Sequence, residues 1–203
     1  MQKKNLFKDK RLQLWGDAVP VSEADINRAV PEKFLGKDDF VEFYVKRNGG
    51  MFKGEAYFYR DTFHRVPRGK VNSMPISCFF PIPLSMKDAD NPPVTIASMK
   101  AASLKGYGRF REMKEFLKTH IPIADDGGGD SYWIEVPTGR ICYIKMEYVG
   151  AGPINIIEIA PTFAEFVSNI VGRLRAGDVA EVDRLLASDA GPRGGRSRSK
   201  RKR

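Results

Sequence analysis

The chain has 203 residues, of which 42% are hydrophobic and 11% aromatic, a composition that is typical of a globular protein and excludes a disordered one. It contains no run of about eighteen apolar residues and no apolar N-terminal stretch, so we expect no transmembrane helix, no secretory signal, and a cytoplasmic protein without membrane contact. The formal net charge is +9, but residues 1–11 carry +4 and residues 191–203 carry +7, which leaves −2 for residues 12–190. A basic surface across the whole fold is therefore not expected.

The first fifty residues predict a basic arm and two helices. Residues 1–20 are expected to form the arm. Ser22 and Asp25 stand in the positions of a capping box, which predicts a helix that ends before Pro31. A second helix is predicted in KDDFVEFYVKRNGG, residues 37–50, where Asn-Gly-Gly supplies a left-handed stop. Its apolar face is expected from residues at helical spacing, namely Phe40, Phe43 and Tyr44.

The middle of the chain predicts strands and then one long helix. Between residues 51 and 99, aromatic and β-branched residues cluster in EAYFYRDTF and PISCFFPIPL, as is typical of strands. Pro81 and Pro83 cannot sit inside a central strand, so the second run is expected to be an edge or an end. VTIAS, residues 94–98, is expected to be a short strand at most. A helix is predicted within residues 106–120 from apolar residues that share one face, namely Tyr107, Phe110, Met113, Phe116 and Leu117.

The C-terminal part predicts a hairpin, a further strand and two helices. SYWIEV and RICYIKM flank a Pro-Thr-Gly turn, and INIIEIA follows as another strand. Thr162 and Glu165 form a capping box for the next helix. Its apolar face is expected to contain Phe163, Phe166, Val167, Ile170 and Val171. A last helix is predicted over residues 178–188. Helices, then strands, then helices predict an α+β fold in which helices cover one sheet.

The stretch IPIADDGGGDSYWIEV, residues 121–136, places three aspartates around three consecutive glycines. A phosphate-binding loop would lead into a helix, whereas these glycines lead into a strand, and the aspartates would repel phosphate. An EF-hand loop needs oxygen ligands at alternate positions, where Gly127 and Gly129 stand instead. Weak, adventitious calcium binding stays open. The residues favour a turn, in which glycines reach positive φ and aspartates bond to backbone amides.

The sequence offers little for catalysis. Its two histidines, His64 and His120, are expected in structural or surface roles, His120 as a cation at a helix end. Cys78 and Cys142 are expected to be unpaired, buried thiols, although a disulfide between them is conceivable. No zinc-ligand, HExxH or GxSxG pattern is present. We therefore expect a non-enzymatic binding module that has no catalytic, cofactor-binding or metal-binding residues.

Three stretches together resemble the SUKH superfamily, the Smi/Knr-like domain. VPEKFLGKDDFVEFYVKRNGGMF is similar to that family's element of a proline, a helix and Asn-Gly-Gly. IPIADDGGGDSYWIEVPTGRICYI is similar to its acidic, glycine-rich loop before a hairpin, and IAPTFAEFVSNIV resembles its closing Phe-x-x-Phe helix. The order of the three is that of the family. The segment between Gly50 and Ile121 is longer than in a minimal domain.

The resemblance implies a single mixed, largely antiparallel sheet packed against N- and C-terminal helices. It assigns residues 21–171 to the SUKH domain, behind the arm at 1–20. Residues 172–189 are then a C-terminal helical extension and residues 190–203 a disordered basic tail. Many bacterial members are immunity proteins that bind a cognate secreted toxin, often a nuclease, and fungal relatives are regulatory scaffolds. No family-wide catalytic residues are implied.

From this resemblance and the acidic body, we expect an immunity protein whose partner is a basic toxin domain. A nuclease binds phosphates and is basic at its site, so an acidic loop would complement it and accelerate association. The predicted contacts are the three loop carboxylates together with two aromatic anchors, at most one of which is expected to face outwards. These five residues are Asp125, Asp126, Asp130, Tyr132 and Trp133. The oligomeric state is left open.

An alternative from another class is a nucleic-acid-associated protein or scaffold that uses its basic tail. Lysine and arginine side chains on a flexible terminus contact phosphates weakly, without sequence preference and in a salt-dependent manner. The residues concerned are Arg196, Arg198, Lys200, Arg201, Lys202 and Arg203. The same run could also be a solubilising terminus or a nuclear localisation signal.

Overall fold

The computed structural model describes residues 7–16, 19–59, 73–83, 94–146, 149–150 and 154–172. Within these ranges the chain forms five helices: α1 (Glu23–Ala29), α2 (Lys37–Lys46), α3 (Ile96–Tyr107), α4 (Arg111–Thr119) and α5 (Phe163–Ser168). None of these helices combines the length and the apolar character that crossing a membrane requires.

The strands of the described chain belong to two sheets. They are β1 (Leu14–Trp15), β2 (Gly50–Phe52), β3 (Ala56–Tyr59), β4 (Ser73–Pro75), β5 (Cys78–Phe79), β6 (His120–Asp125), β7 (Ser131–Glu135), β8 (Ile141–Ile144), β9 (Ile156–Ala160) and β10 (Ile170–Gly172). The main sheet has the order β1-β2-β5-β6-β7-β8-β9, and the smaller one the order β10-β3-β4. Every strand pair in the described ranges is antiparallel.

The predicted α+β class is confirmed. The main sheet is antiparallel throughout its described pairs, and the second, three-stranded sheet was not predicted. The hairpin of β7 and β8, the strand β9 and the capped helices α1 and α5 appear where the sequence placed them. At α1, the Ser22 hydroxyl accepts the Asp25 N–H at 3.2 Å, and at α5 the Thr162 hydroxyl accepts the Glu165 N–H at 3.2 Å. Such side-chain caps satisfy backbone donors that have no partner within the helix.

Side chains from the two faces of the main sheet enter two different hydrophobic clusters. On one face, α2 and α5 contribute aromatic rings to the larger cluster, with Phe43 and Phe163 centroids 5.3 Å apart. On the other face, α4 packs Met113 and Phe116 over the sheet. Because neighbouring strand residues point to opposite faces, Tyr132 enters the first cluster and Trp133 the second.

The Asn-Gly-Gly element joins α2 to the main sheet by close backbone contact. The Asn48 side chain accepts the Ile82 N–H at 2.7 Å and donates to the Ile82 carbonyl at 3.1 Å. Gly49 has φ of +67°, and a Cβ there would stand 2.6 Å from the carbonyl oxygen of Phe79. The asparagine thus supplies hydrogen bonds to the segment that follows β5, and the glycine permits the approach.

Two predictions in the middle of the chain are wrong. Residues 94–98 contain the cap and the start of α3 instead of a strand, because Thr95 caps this helix in a box with Ser98. Each backbone N–H donates to the other residue's hydroxyl, at 2.8 and 3.1 Å. The helix predicted within residues 106–120 is two helices, since α3 ends at Tyr107 and α4 begins at Arg111. The apolar spacing continued across this break and concealed it.

The end of the domain also differs from the prediction. Ile170 and Val171, expected on the face of α5, form β10 and pair with β3. The helix stops at Ser168 because the chain turns at Asn169 to join the smaller sheet. There, Gly172 donates its N–H to the buried carboxylate of Asp9 at 2.9 Å.

Part of the segment predicted as an N-terminal arm packs on the domain. Phe7 and Leu12 are buried, and the Phe7 ring centroid lies 5.4 Å from that of Phe52. The predicted helix at 178–188, the predicted disordered tail with its basic residues, and His64 lie outside the described residues. Contact between the tail and nucleic acid stays a prediction.

Candidate functional site

The acidic loop, defined here as Asp125 to Asp130, is the turn of the hairpin formed by β6 and β7. Asp125 pairs with Ser131 across the hairpin, and the Asp126 N–H donates to the Asp130 carbonyl at 3.2 Å. Gly127 and Gly129 have φ of +77° and +107°, which confirms the predicted use of glycine. The sequence did not predict β6, because Pro122 and a bulge just after it interrupt the strand pattern.

Two of the loop carboxylates are fixed by backbone amides and one tyrosine. Asp126 accepts N–H groups from Gly128 at 2.7 Å and from Asp130 at 3.0 Å, while Asp130 accepts the Met146 N–H at 2.8 Å. The Tyr143 hydroxyl lies 3.0 Å from an oxygen of each carboxylate. Its single proton can serve only one of them at a time. Burial, followed by the two carboxylates, raises the pKa of Tyr143, so the hydroxyl keeps that proton.

Asp125 is held separately, at the end of β6. Its carboxylate accepts the Gly127 N–H at 3.0 Å and lies 3.3 Å from the Cys78 sulfur on β5. Burial raises the pKa of the Cys78 thiol to about 12, and Asp125 adds to this shift, so the thiol stays protonated and donates. Burial also raises the pKa of Asp125; the bonds from Cys78 and Gly127 oppose that effect, and the neighbouring Asp126 carboxylate adds to it.

The three carboxylates have only neutral donors around them. In the described part of the chain, no Lys, Arg or His nitrogen lies within 4.0 Å of Asp125, Asp126 or Asp130. All three are half-buried, so their positions are set by the fold. The loop therefore presents negative charge that no cation of the described chain compensates, in an arrangement that a cationic group from outside could meet without reorganisation.

The two aromatic residues predicted as anchors lie in the core instead. Tyr132 and Trp133 are both 0% exposed. The Tyr132 hydroxyl donates to the Pro75 carbonyl at 2.6 Å, and Trp133 Nε1 donates to the Ser131 hydroxyl at 2.7 Å. Helices cover both faces of the sheet at β7, so strand alternation turns neither ring towards solvent. Neither side chain can therefore contact a partner on the surface of this fold.

A model of the SMI1 / KNR4 family (SUKH-1) matches residues 20–169, which is most of the chain and includes the acidic loop. The chain belongs to the SMI1 / KNR4 family. No curated protein and no solved structure matches it. Members of this SUKH family are generally non-enzymatic immunity or regulatory proteins, so the family is consistent with a protein-binding module.

The histidine and the two cysteines that the structure describes in the SUKH domain occupy structural positions within the fold. His120, expected as a cation at a helix end, is buried at the start of β6 and stacks on Phe116 with centroids 3.7 Å apart; burial lowers its pKa. Cys78 and Cys142 are free thiols on different strands, with Cys142 buried and Cys78 half-buried. Among the residues that the structure describes, no group of three or more His, Cys, Asp or Glu is arranged to hold a metal ion.

Sequence reasoning missed Cys78 and Tyr143 as supports of the acidic loop. Tyr143 carried a usable signal: in the predicted hairpin it faces Tyr132, which stands two residues after Asp130. Cys78 carried none, because β5 and β6 are far apart in sequence and only the folded sheet pairs Cys78 with Asp125.

We expect Asp125→Asn to change how the stability of the SUKH domain depends on pH. Because burial raises the pKa of Asp125 in the folded state above its value in the unfolded chain, the folded state binds more protons than the unfolded state at pH values between the two. The wild-type free energy of unfolding therefore falls as pH rises through this window, and ionised Asp125 destabilises the fold above it. In the variant, the free energy of unfolding should not decrease across this window, and the variant should be at least as stable as wild type at pH 7. Urea denaturation at a series of pH values measures the effect.

The matched control for that experiment is Asp38→Asn, which removes an exposed carboxylate on α2. It should leave the wild-type pH dependence in place. A variant at Asp125 that loses stability at pH 7 while keeping the wild-type slope would contradict the predicted direction.

Proposed function

We propose that this SUKH protein is an immunity protein that binds and neutralises a basic, nuclease-type toxin domain without catalysing a reaction. The observation that carries the proposal is the acidic loop, whose three carboxylates are fixed by amide, hydroxyl and thiol donors and have no cation near them in the described chain. A nuclease toxin concentrates positive charge where it binds phosphates. When the positive surface of the toxin faces the acidic loop, the attraction between opposite charges would accelerate association and fix the orientation of the two proteins.

The turn alone does not require all of this negative charge. The hydrogen bonds from backbone N–H groups to Asp126 and the positive φ of two glycines suffice to close the hairpin. Aspartate and glycine form turns of this kind in proteins generally. Asp125 and Asp130 add two further charges within the same short segment. Burial raises the pKa of Asp125, so keeping it ionised costs stability. A binding site that needs the negative charge is expected to retain an ionised carboxylate despite this loss of stability.

The test is co-expression with the toxin domain that a gene adjacent to this chain's gene encodes. The tagged SUKH protein should co-purify with that domain in a defined ratio, and its co-expression should restore growth to cells that the toxin otherwise kills. The control is the same SUKH protein with an unrelated nuclease domain of similar charge, which should neither co-purify nor be neutralised. If no adjacent protein is bound or neutralised, the immunity assignment is wrong.

A further inference from the structure

One row of paired residues crosses all seven strands of the main sheet, from β1 at one edge to β9 at the other. The paired residues are, in order, Trp15, Met51, Cys78, Asp125, Ser131, Ile144 and Ile156. Directly opposed residues of neighbouring antiparallel strands point to the same face of a sheet. Strand alternation therefore places these residues on the face that carries the cluster of Trp133 and Ile144, and the half-buried Cys78 side chain also packs against the larger cluster.

The helices on this face cover only part of the row. α3 and α4 pack against β6, and Met113 and Phe116 close over Trp133 and Ile144. Ser131 and Ile144 are consequently 0% exposed. At the β1 edge, by contrast, Trp15 is 54% exposed and Met51 50% exposed. Cys78 and Asp125, between them and the helices, are half-buried. We name these four residues, Trp15, Met51, Cys78 and Asp125, the open row.

The backbone beneath the exposed end of the open row is fixed by hydrogen bonds and close packing. Arg47 donates through Nη2 to the Gly16 carbonyl at 2.8 Å, and the Lys53 N–H donates to the Gln13 carbonyl at 2.9 Å, so β1 is fixed at both ends. A Cβ on Gly50 would stand 2.7 Å from the Trp15 carbonyl oxygen, which shows how closely β2 approaches β1. The backbone that carries Trp15 and Met51 is thus fixed, so a partner that binds there does not have to order the two strands.

The negative charge of Asp125 indicates which kind of partner the open row would bind. Its apolar members lead directly to Asp125, which has no cation within ion-pair distance in the described chain and begins the acidic loop. Trp and Met are enriched at protein interfaces, and a carboxylate that is half-buried at their side favours a Lys or Arg. An entirely apolar occupant would leave this carboxylate desolvated and unpaired.

We propose that the open row is the docking surface for a partner segment in which an apolar side chain stands beside a Lys or Arg. The apolar group packs on Trp15 and Met51, and the cation meets Asp125. This inference rests on the proposed function, since it names the surface by which the basic partner would extend its contact beyond the acidic loop. It adds an apolar anchor that the loop itself lacks.

The probe is a displayed library of random twelve-residue peptides, selected against the full chain. Enriched peptides should combine an aromatic or aliphatic residue with a Lys or Arg nearby. A synthetic peptide of the most enriched sequence should bind Trp15→Ser about thirtyfold more weakly than wild type, as is typical of a hot-spot residue. Met51→Ser serves as a second variant should Trp15→Ser unfold. Asp125→Asn should weaken binding of the peptide but not of its Lys- or Arg-free analogue.

The matched control is Leu35→Ser, which removes another exposed apolar side chain, 66% exposed, from the loop before α2. It should leave peptide binding unchanged. The proposal is overturned if no peptide is enriched, if enriched peptides lack basic residues, or if the Leu35 and Trp15 variants behave alike. It is also overturned if sedimentation shows a dimer that Trp15→Ser dissociates, since the open row then contacts a second copy. The adjacent toxin plays no part in this selection, so the docking surface and the immunity assignment can fail independently.

Discussion

Replacement of Trp133 by alanine is expected to lower the free energy of unfolding by about 3 to 5 kcal/mol. Trp133 is fully buried, with its ring edge against Phe116 at a centroid distance of 5.2 Å. Its removal leaves a cavity between α4 and β7 that the rigid sheet cannot fill. It also deprives the buried Ser131 hydroxyl of its indole donor. Urea denaturation followed by far-ultraviolet circular dichroism measures the loss.

The other tryptophan provides the matched control, since the chain contains two. Trp15 is 54% exposed, and Trp15→Ala is expected to change the free energy of unfolding by no more than about 0.5 kcal/mol. The two tryptophans should thus separate stability from binding: Trp133 supports the fold, and Trp15 belongs to the open row. Equal losses of stability for the two variants would contradict the burial on which both assignments depend.

Gly49→Ala is expected to cost about 2 to 4 kcal/mol of stability, through two effects that add. An alanine at φ of +67° adopts a conformation that costs an L-residue about 1–2 kcal/mol. Its Cβ would also stand 2.6 Å from the Phe79 carbonyl oxygen and 2.9 Å from the Pro81 nitrogen, both backbone atoms, so β5 must shift. Because β5 lies between β2 and β6, this shift reaches the centre of the main sheet.

Gly54→Ala is the control for this prediction. Gly54 has an ordinary φ, and no atom lies within 4 Å of a Cβ placed there. The substitution should be neutral or slightly stabilising, because alanine restricts the unfolded chain. The difference between the two midpoints in a urea titration gives the cost of the contact at Gly49. A Gly49 variant as stable as the Gly54 variant would show that the Asn-Gly-Gly element does not depend on close packing.

The sequence predicted those elements whose signals are local. Ser22 and Thr162 predicted the starts of their helices because a side-chain cap acts within one turn. The β7–β8 hairpin was predicted from two strands around a glycine turn. The start of α3 was missed because Ser98, instead of an acid or amide, completes its capping box. β10 was missed because its partner β3 lies more than a hundred residues earlier, and no local pattern records that pairing.

The candidate site was predicted to a similar extent. The acidic loop, its glycines and its three aspartates were visible in the sequence. Tyr132 and Trp133 were misjudged because alternation can place one ring outside, and the helices on both faces of the sheet could not be read from the strand itself. The open row depends entirely on strand order, since Trp15, Met51 and Asp125 are distant in sequence and meet only in the folded sheet.

The central claim is that the acidic loop uses its charge to capture a basic partner. It can be tested with the triple variant Asp125→Asn, Asp126→Asn, Asp130→Asn, in which each side chain keeps an oxygen that accepts the turn's hydrogen bonds. The control variant Glu23→Gln, Asp38→Asn, Glu115→Gln removes the same charge from exposed positions on α1, α2 and α4. Both variants should retain the fold, as circular dichroism can verify.

The most direct measurement is the association rate constant with the adjacent toxin domain, determined by stopped flow at several salt concentrations. For the loop variant, the rate constant at low salt should fall about tenfold or more and lose most of its dependence on salt, because electrostatic steering supplies such factors. The control variant should stay close to wild type. Equal rate constants and equal salt dependence for the loop variant and the control would contradict the claim.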